Sequence, residues 1–126
     1  MTGFDFPRKA RILTTREYKS IFSNANIKLV DKYCLLLAHR KPTNQARIGI
    51  VVAKKNVPLA VDRNRIKRLV RESFRHHQQC LVNMDLVIIV KPKLKKLSNH
   101  QLSQIIARKW QTLAARSGNK NTFSNH

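Results

Sequence analysis

A basic amphipathic segment at residues 54–75 constrains this chain more than any other feature. It reads KKNVPLAVDRNRIKRLVRESFR and holds eight basic residues against two acidic ones. Ile66, Val70 and Phe74 recur at helical spacing, which predicts a helix over about residues 58–79 with one face docked on a core. A second face is polar at intervals of three or four residues, and it suits a phosphate backbone better than a small substrate. This polar row consists of Asn64, Lys67, Arg68, Arg71 and Arg75.

The charge of the whole chain indicates a polyanionic partner. Its 126 residues include 26 Lys and Arg against 6 Asp and Glu, which gives a formal net charge of +20. Self-repulsion at that charge tends to destabilise a compact state, so a nucleic acid is the expected partner. The length fits one domain, for which we predict residues 1–116, followed by a disordered polar tail at residues 117–126.

The sequence also predicts a cytoplasmic location. It contains no apolar run of about 18 residues, and its N-terminus lacks an apolar signal segment. Cys34 and Cys80 are the two cysteines, and neither belongs to a C-x-x-C pair. We therefore expect two reduced thiols, with no disulfide, metal knuckle or redox motif.

Capping patterns and apolar runs predict the remaining elements. Thr14 and Glu17 match a capping box that starts a helix ending near residue 24, and Ser98 with Gln101 repeats the pattern before a last helix at residues 98–116. Strands are predicted at residues 33–39, 47–54 and 85–91. We expect the first two to form an antiparallel hairpin, and the third to pair in parallel and complete a βαβ unit. The expected fold is α+β, a two-layer α/β sandwich of order α-β-β-α-β-α.

The acidic residues and histidines argue against an active site in the protein itself. A metal-dependent nuclease needs clustered carboxylates, whereas the six acids here are scattered singly along the chain. Glu72 is expected to pair with Arg68, one helical turn before it. The five histidines would converge only by accident, and no phosphate-binding glycine loop is present. We predict no catalytic residue, no metal site and no cofactor bound by the protein alone.

Two sets of residues have the chemistry to bind RNA. The first is an anion site in which Lys54 and Lys55, at the end of a strand, lie close to the start of the basic helix. Arg63 and Arg65 would contact phosphate, and Asn64 would add hydrogen bonds to a base edge or a 2′-hydroxyl. The alternative interpretation of the Arg-Asn-Arg triplet is a solvated first turn.

The second set is aromatic and consists of Tyr18, Phe22 and Tyr33. Aromatic faces stack on unpaired bases for about 1–3 kcal/mol each. The alternative is that all three belong to the core, although the two hydroxyls favour partial exposure. Gly49, inside the second predicted strand, is expected to allow close approach by another element.

The chain closely resembles the protein subunit of bacterial ribonuclease P. Residues 62–75, DRNRIKRLVRESFR, are similar to the signature of that family, and residues 48–55, IGIVVAKK, are similar to its second strand and lysine pair. Phe6-Pro7-Arg8, residues 11–22 and residues 85–90 also fit, so the resemblance covers about residues 4–116. Ala53 departs from the serine that the family often has before the lysine pair, which puts one hydroxyl contact in doubt.

The resemblance implies a fold and a function beyond what the pattern gives. The implied fold is a sandwich like domain 2 of ribosomal protein S5, with a left-handed βαβ crossover, although sequence rules favour a right-handed one. The implied catalyst is an RNA that uses Mg²⁺ to remove 5′ leaders from precursor tRNA, with one monomeric protein bound per RNA. By position, Tyr18, Phe22 and Tyr33 would line a leader cleft. The catalytic RNA would face Lys54, Lys55, Arg63, Asn64, Arg65, Lys67, Arg68 and Arg71.

Three other functions stay open at this point. A structural RNA-binding protein, such as a ribosomal one, would explain the charge and the sandwich equally well. A DNA-binding regulator would need a second helix close to the basic one, where the sequence predicts strands instead. A stand-alone nuclease would need an active site that the acids and histidines do not suggest.

Overall fold

The computed structural model describes residues 14–42 and 44–117. Three helices and four strands make up these residues, and two short 3-10 helices, at Gln78–Leu81 and Pro92–Lys96, flank the last strand. The predicted tail lies outside the described residues except for Ser117, which ends the last helix. None of the described helices is long and apolar enough to cross a membrane. The elements are α1 (Thr15–Asn24), β1 (Ile27–Val30), β2 (Cys34–Arg40), β3 (Ala46–Val51), α2 (Ala60–His77), β4 (Met84–Val90) and α3 (Asn99–Ser117).

Both predicted capping boxes are present. The Thr14 hydroxyl accepts the Glu17 N–H at 3.1 Å, and Glu17 Oε1 accepts the Thr14 N–H at 3.1 Å. Ser98 and Gln101 exchange the same pair of bonds at 3.1 and 3.0 Å before α3. Each box satisfies two N–H groups that a helix start would otherwise leave without partners, which fixes where α1 and α3 begin.

The sheet order is β1-β2-β4-β3, with β3 and β4 parallel and the other pairs antiparallel. The parallel β3-α2-β4 unit confirms the predicted βαβ arrangement, while its handedness stays a prediction. The predicted hairpin of residues 33–39 with residues 47–54 is wrong, because β4 lies between those strands. β4 is buried along nearly its whole length. A strand is buried on both faces when it lies in the middle of a sheet, as β4 does between β2 and β3.

β1 is a fourth strand that the sequence prediction missed. It spans four residues, IKLV, and pairs with β2 from Ile27 opposite Ala38 to Val30 opposite Leu35. The segment is short, with Lys28 in its middle, so its alternating pattern looked like part of a linker. The observed order is therefore α-β-β-β-α-β-α, within the α+β class that was predicted.

Helices cover the two sheet faces unequally. α2 and α3 pack on one face, over a large core cluster that includes Ile66, Phe74 and the fully buried Trp110. The Trp110 indole N–H donates to Ser73 Oγ at 2.9 Å, and its ring meets Phe74 edge to face. The short α1 covers only part of the other face, so the sheet is enclosed on one side and partly open on the other.

Candidate nucleic-acid interface

The outward face of α2 carries most of the residues predicted to meet the catalytic RNA. Asn64 and Arg68 are exposed, and Lys67 and Arg71 are half-buried along the same helix. Ile66, Val70 and Phe74 are fully buried, as the apolar stripe predicted. Glu72 pairs with Arg75 at 2.7 Å and with His76 at 3.3 Å, so the predicted Arg68–Glu72 pair is wrong. Arg68 therefore keeps its charge available to a ligand.

Two of the predicted RNA contacts have structural partners inside the protein. Arg65 donates to Asn99 Oδ1 at 2.7 Å and to the carbonyls of Lys95 and Leu97 at 3.2 and 3.4 Å, which ties α2 to the start of α3. Arg63 donates to the carbonyls of residues 57 and 58 at 3.0 and 2.8 Å. Sequence spacing could not reveal the acceptors of Arg65, because they lie 30 to 34 residues further along the chain and only folding brings them close, whereas the acceptors of Arg63 lie five and six residues before it.

The lysine pair lies in a turn rather than at the end of a strand. β3 ends at Val51, and Lys54 and Lys55 are exposed in the turn that precedes α2. Leu59 occupies the N-cap of α2, and its side chain cannot accept a hydrogen bond from the first N–H groups of the helix. The positive end of the helix dipole is therefore not capped by a side chain. A basic turn beside an uncapped helix start is favourable for phosphate. We call Lys54, Lys55, Asn64, Lys67, Arg68 and Arg71 the helix surface.

Tyr18 packs on Gly49, as the sequence predicted for that glycine. A Cβ built on Gly49 would lie 2.6 Å from Tyr18 Oη, so only glycine leaves room for the ring. The hydroxyl lies within hydrogen-bonding reach of the Ile50 backbone on β3, the edge strand. Burial raises the pKa of Tyr18 above its ordinary value, although the nearby Arg71 acts in the opposite direction.

A partly exposed apolar row crosses the sheet beside α1. Its register pairs are Val30 with Leu35, Leu35 with Ile89, and Ile89 with Val51, so one residue from each strand contributes. Val30 is 58% exposed, and the other three are partly buried. Three strand spacings make the row about 14 Å long. We call Val30, Leu35, Val51 and Ile89 the apolar row.

The three predicted aromatic residues do not share one environment. Phe22, on α1 one turn after Tyr18, is 48% exposed. Tyr33 lies just before β2 and packs against the core cluster under α2 and α3, with Lys32 Nζ 5.2 Å from its ring centroid. Tyr18 packs against the other cluster. The assignment of all three to one leader cleft stays a prediction.

Arg47 organises a charged cluster that the sequence prediction missed. Its guanidinium donates to Glu17 at 2.6 Å and to both carboxylate oxygens of Asp85 at 3.0 and 2.8 Å. Lys41 Nζ lies 3.1 Å from Asp85 as well. Glu17 and Asp85, which look scattered in the sequence, therefore lie close together, and both bind Arg47. Burial alone would raise the pKa of Asp85, but the hydrogen bonds from Arg47 and Lys41 lower it below its ordinary value.

The Arg47 cluster fixes the start of α1 to β3 and β4. Arg47 and Asp85 are register partners on the sheet face that α1 covers, so their side chains project together toward Glu17. Across the residues the structure describes, no three His, Cys, Asp or Glu side chains come close enough to hold a metal ion. The alternation of side chains along β3 could have revealed the role of Arg47, because it places Arg47 on the same sheet face as Gly49.

Comparisons with known proteins agree on one family. A family model described as Ribonuclease P matches residues 6–114. The Ribonuclease P protein component of Pseudomonas aeruginosa is 43% identical over 113 residues, covering 90% of this chain and 84% of that protein. The protein of the same name from Pseudoalteromonas atlantica is 47% identical over 111 residues, covering 88% and 92%.

Solved structures show the same fold. The RNase P protein of Staphylococcus aureus superposes with a TM-score of 0.74 at 24% identity, covering 83% of this chain and 94% of that one. The RNase P protein from Thermotoga maritima gives a TM-score of 0.66 at 27% identity, covering 78% and 96%.

Proposed function

Since this chain belongs to the ribonuclease P protein family, we propose that it binds the catalytic RNA of that enzyme and the 5′ leader of precursor tRNA. The observation that supports the proposal most is the placement of the helix surface next to the partly open sheet face. The helix surface is cationic and solvated, and the partly open sheet face offers apolar and aromatic side chains. The two types of surface suit a structured RNA backbone and an unpaired strand, respectively.

The helix surface is the proposed contact for the catalytic RNA. Arg68 and the lysine pair are exposed and would neutralise phosphates, while Asn64 adds an amide that can hydrogen-bond to sugar or base. Arg63 and Arg65 are tied to carbonyls, so we propose that they hold the shape of this surface and reach RNA only with their remaining N–H groups. Neutralising phosphates lowers the repulsion between two RNAs and favours assembly.

The partly open sheet face is the proposed contact for the leader. The half-exposed ring of Phe22 provides a flat face on which a base stacks without sequence preference, and the aliphatic side chains of the apolar row provide apolar contact beside it. Tyr18, Phe22 and Tyr33 keep their predicted role in this proposal, with Tyr33 at the edge nearest β1. A mature tRNA lacks the leader, so this contact favours precursors over products.

Catalysis in this proposal belongs to the RNA, which uses Mg²⁺, and the protein supplies binding. We propose one monomeric protein per RNA, acting in the cytoplasm. Arg71 lies close enough to Tyr18 to influence its pKa, so the two proposed surfaces meet along the β3 edge of the sheet. A single protein can therefore hold the leader and the catalytic RNA side by side.

A cleavage assay with the cognate RNA tests this function. At low Mg²⁺ the protein should raise the rate of leader removal from a precursor tRNA, and the protein without RNA should cleave nothing. Affinity for the RNA should fall steeply with salt, with a log–log slope of roughly −4 to −5 if about six phosphates are neutralised. A flat salt response, or cleavage by the protein alone, would contradict the proposal.

A further inference from the structure

A cationic groove, the second cationic surface of the protein, lies at the other edge of the sheet from α2. It has a volume of about 850 Å³ and runs between β1 and the C-terminal half of α3. α2 packs beside β3, whereas α3 packs beside β1, the strand at the opposite edge. This groove, which we call the β1–α3 groove, is therefore separate from the helix surface. Its polar and aromatic lining includes Lys28, Lys32, Tyr33, Arg108, Thr112 and Arg116.

An internal ion pair forms the base of the groove. Lys109, 8% exposed on α3, lies 2.5 Å from Asp31 Oδ2, and the other carboxylate oxygen accepts the N–H groups of Tyr33 and Cys34. Burial alone would raise the pKa of Asp31, but these hydrogen bonds lower it, so the carboxylate stays ionised and neutralises Lys109. Among the described residues, Asp31 is the only acid that lines the groove, and Lys109 already neutralises its charge.

The remaining cations of the groove are available to an anion. Lys28, Lys32, Arg108 and Arg116 are all exposed, and none is paired with a carboxylate among residues 14–42 and 44–117. Arg108, Thr112 and Arg116 repeat at four-residue spacing, so they form one stripe along α3. The stripe is about 12 Å long, enough for three or four phosphates of a stacked strand.

We propose that the β1–α3 groove binds the sugar–phosphate backbone of a single-stranded RNA segment. An RNA strand fits the groove better than a compact anion, because the cations lie along a line rather than around one point. The apolar row ends at Val30, which also lines the groove, so a strand on the sheet face has a continuous path into it. The inference takes RNA as the partner from the proposed function, but its test needs neither the catalytic RNA nor cleavage.

The experiment measures binding of a fluorescent single-stranded oligouridylate of about twelve nucleotides to the full-length protein by anisotropy. Arg108→Gln/Arg116→Gln should weaken binding about tenfold at 0.1 M salt and reduce the steepness of the log–log salt slope by about 1.4. Arg108→Lys/Arg116→Lys keeps both charges and should retain the slope. The charge-matched control is Lys93→Gln/Lys96→Gln, two exposed lysines outside the groove.

An unchanged slope in the Arg108→Gln/Arg116→Gln protein would overturn the proposal, as would an equal loss in the lysine control, which would indicate net charge alone. Tighter binding to phosphatidylserine vesicles than to the oligouridylate would also overturn it. Unfolding followed by Trp110 fluorescence should be the same in all variants, because both arginines are exposed. If precursor cleavage were not stimulated but the groove substitution still weakened oligouridylate binding, the proposed function would fail and the groove assignment would hold.

Discussion

The ring of Tyr18 lies so close to Gly49 that a Cβ at position 49 would come within 2.6 to 2.7 Å of three of its atoms. The contact joins α1 to the edge strand β3, and it sets the height of α1 above the sheet. Because Phe22 lies one turn further along α1, its position depends on the same contact. A glycine far from any turn thus determines where the proposed leader surface lies.

Gly49→Ala should destabilise the protein by about 1–3 kcal/mol, because the added methyl group must displace the Tyr18 ring. Urea unfolding, followed by the fluorescence of the single Trp110, measures this cost. In a Tyr18→Ala background the same substitution should cost much less, since the ring that it strikes is gone. If Gly49→Ala cost the same free energy of unfolding in both backgrounds, contact with the Tyr18 ring would not be the reason why position 49 requires glycine.

Arg68→Ala should weaken RNA binding and leave stability unchanged, because its guanidinium is exposed and has no carboxylate partner among residues 14–42 and 44–117. Arg65→Ala should weaken binding and also lower the free energy of unfolding by about 1–2 kcal/mol, because three oxygens lose their donor. Urea unfolding and RNA titration of both variants separate the two effects. Arg65→Lys, which keeps the charge but not the planar fork, should still be less stable than the parent. Loss of stability in Arg68→Ala would contradict this division.

Phe22→Ala should reduce affinity for precursor tRNA by about 1–3 kcal/mol while leaving assembly with the catalytic RNA unchanged. The half-exposed ring contributes little to the core, so stability should change by less than about 1 kcal/mol. Affinities for precursor and mature tRNA, measured with the assembled complex, provide the comparison. An equal effect on mature tRNA would remove Phe22 from the leader contact.

Asp85→Asn should lower stability at pH 7 by about 3 kcal/mol, because Arg47 and Lys41 lose a buried charged partner. The folded pKa of Asp85 is lowered, so its stabilisation is fully present above the ordinary value near 3.9 and is lost as the pH falls through the folded value. Unfolding of Asp85→Asn should therefore depend less on pH below about pH 4. Asp62→Asn is the control, since Asp62 has no ion pair within the described parts of the chain, and an equally flattened profile there would contradict the assignment.

Both cysteines should resist thiol reagents in the folded protein. Burial raises the pKa of Cys34 to about 12 and also raises that of Cys80, so little reactive thiolate is present near pH 8. Reaction with an aromatic disulfide reagent should be about a hundredfold slower in buffer than in urea, where both thiols react. Cys80→Ser identifies which thiol reacts first. Rapid labelling of the native protein would show that the core opens around them.

Local features of the fold were predictable because they depend on neighbours in the sequence. The two capping boxes, the buried stripe of α2 and the close approach at Gly49 all follow from spacings of a few residues. The cationic row on α2 followed in the same way, since residues three or four apart share a helix face, whereas the turn that holds Lys54 and Lys55 was not predicted. The central position of β4 could not be predicted from local spacing, because the order of strands in a sheet depends on which faces must be covered.

The roles of individual charges were the least predictable part. Arg65 and Arg68 look alike in the sequence, yet one is bonded to loop carbonyls and the other is free of any carboxylate in the described residues. Glu17 and Asp85 look scattered until Arg47 brings them together. A short-range pattern contains no information about partners thirty or more residues away.

The sequence by itself determined that this is a basic α+β protein with a helix whose outer face is cationic, because composition and helical periodicity are properties of the chain alone. Only the tertiary structure decided that β4 separates β2 from β3, that Tyr18 rests on Gly49, and that the cations of β1 and α3 form one groove. These relationships join residues distant in sequence, and packing around a shared core is the physical process that brings them together.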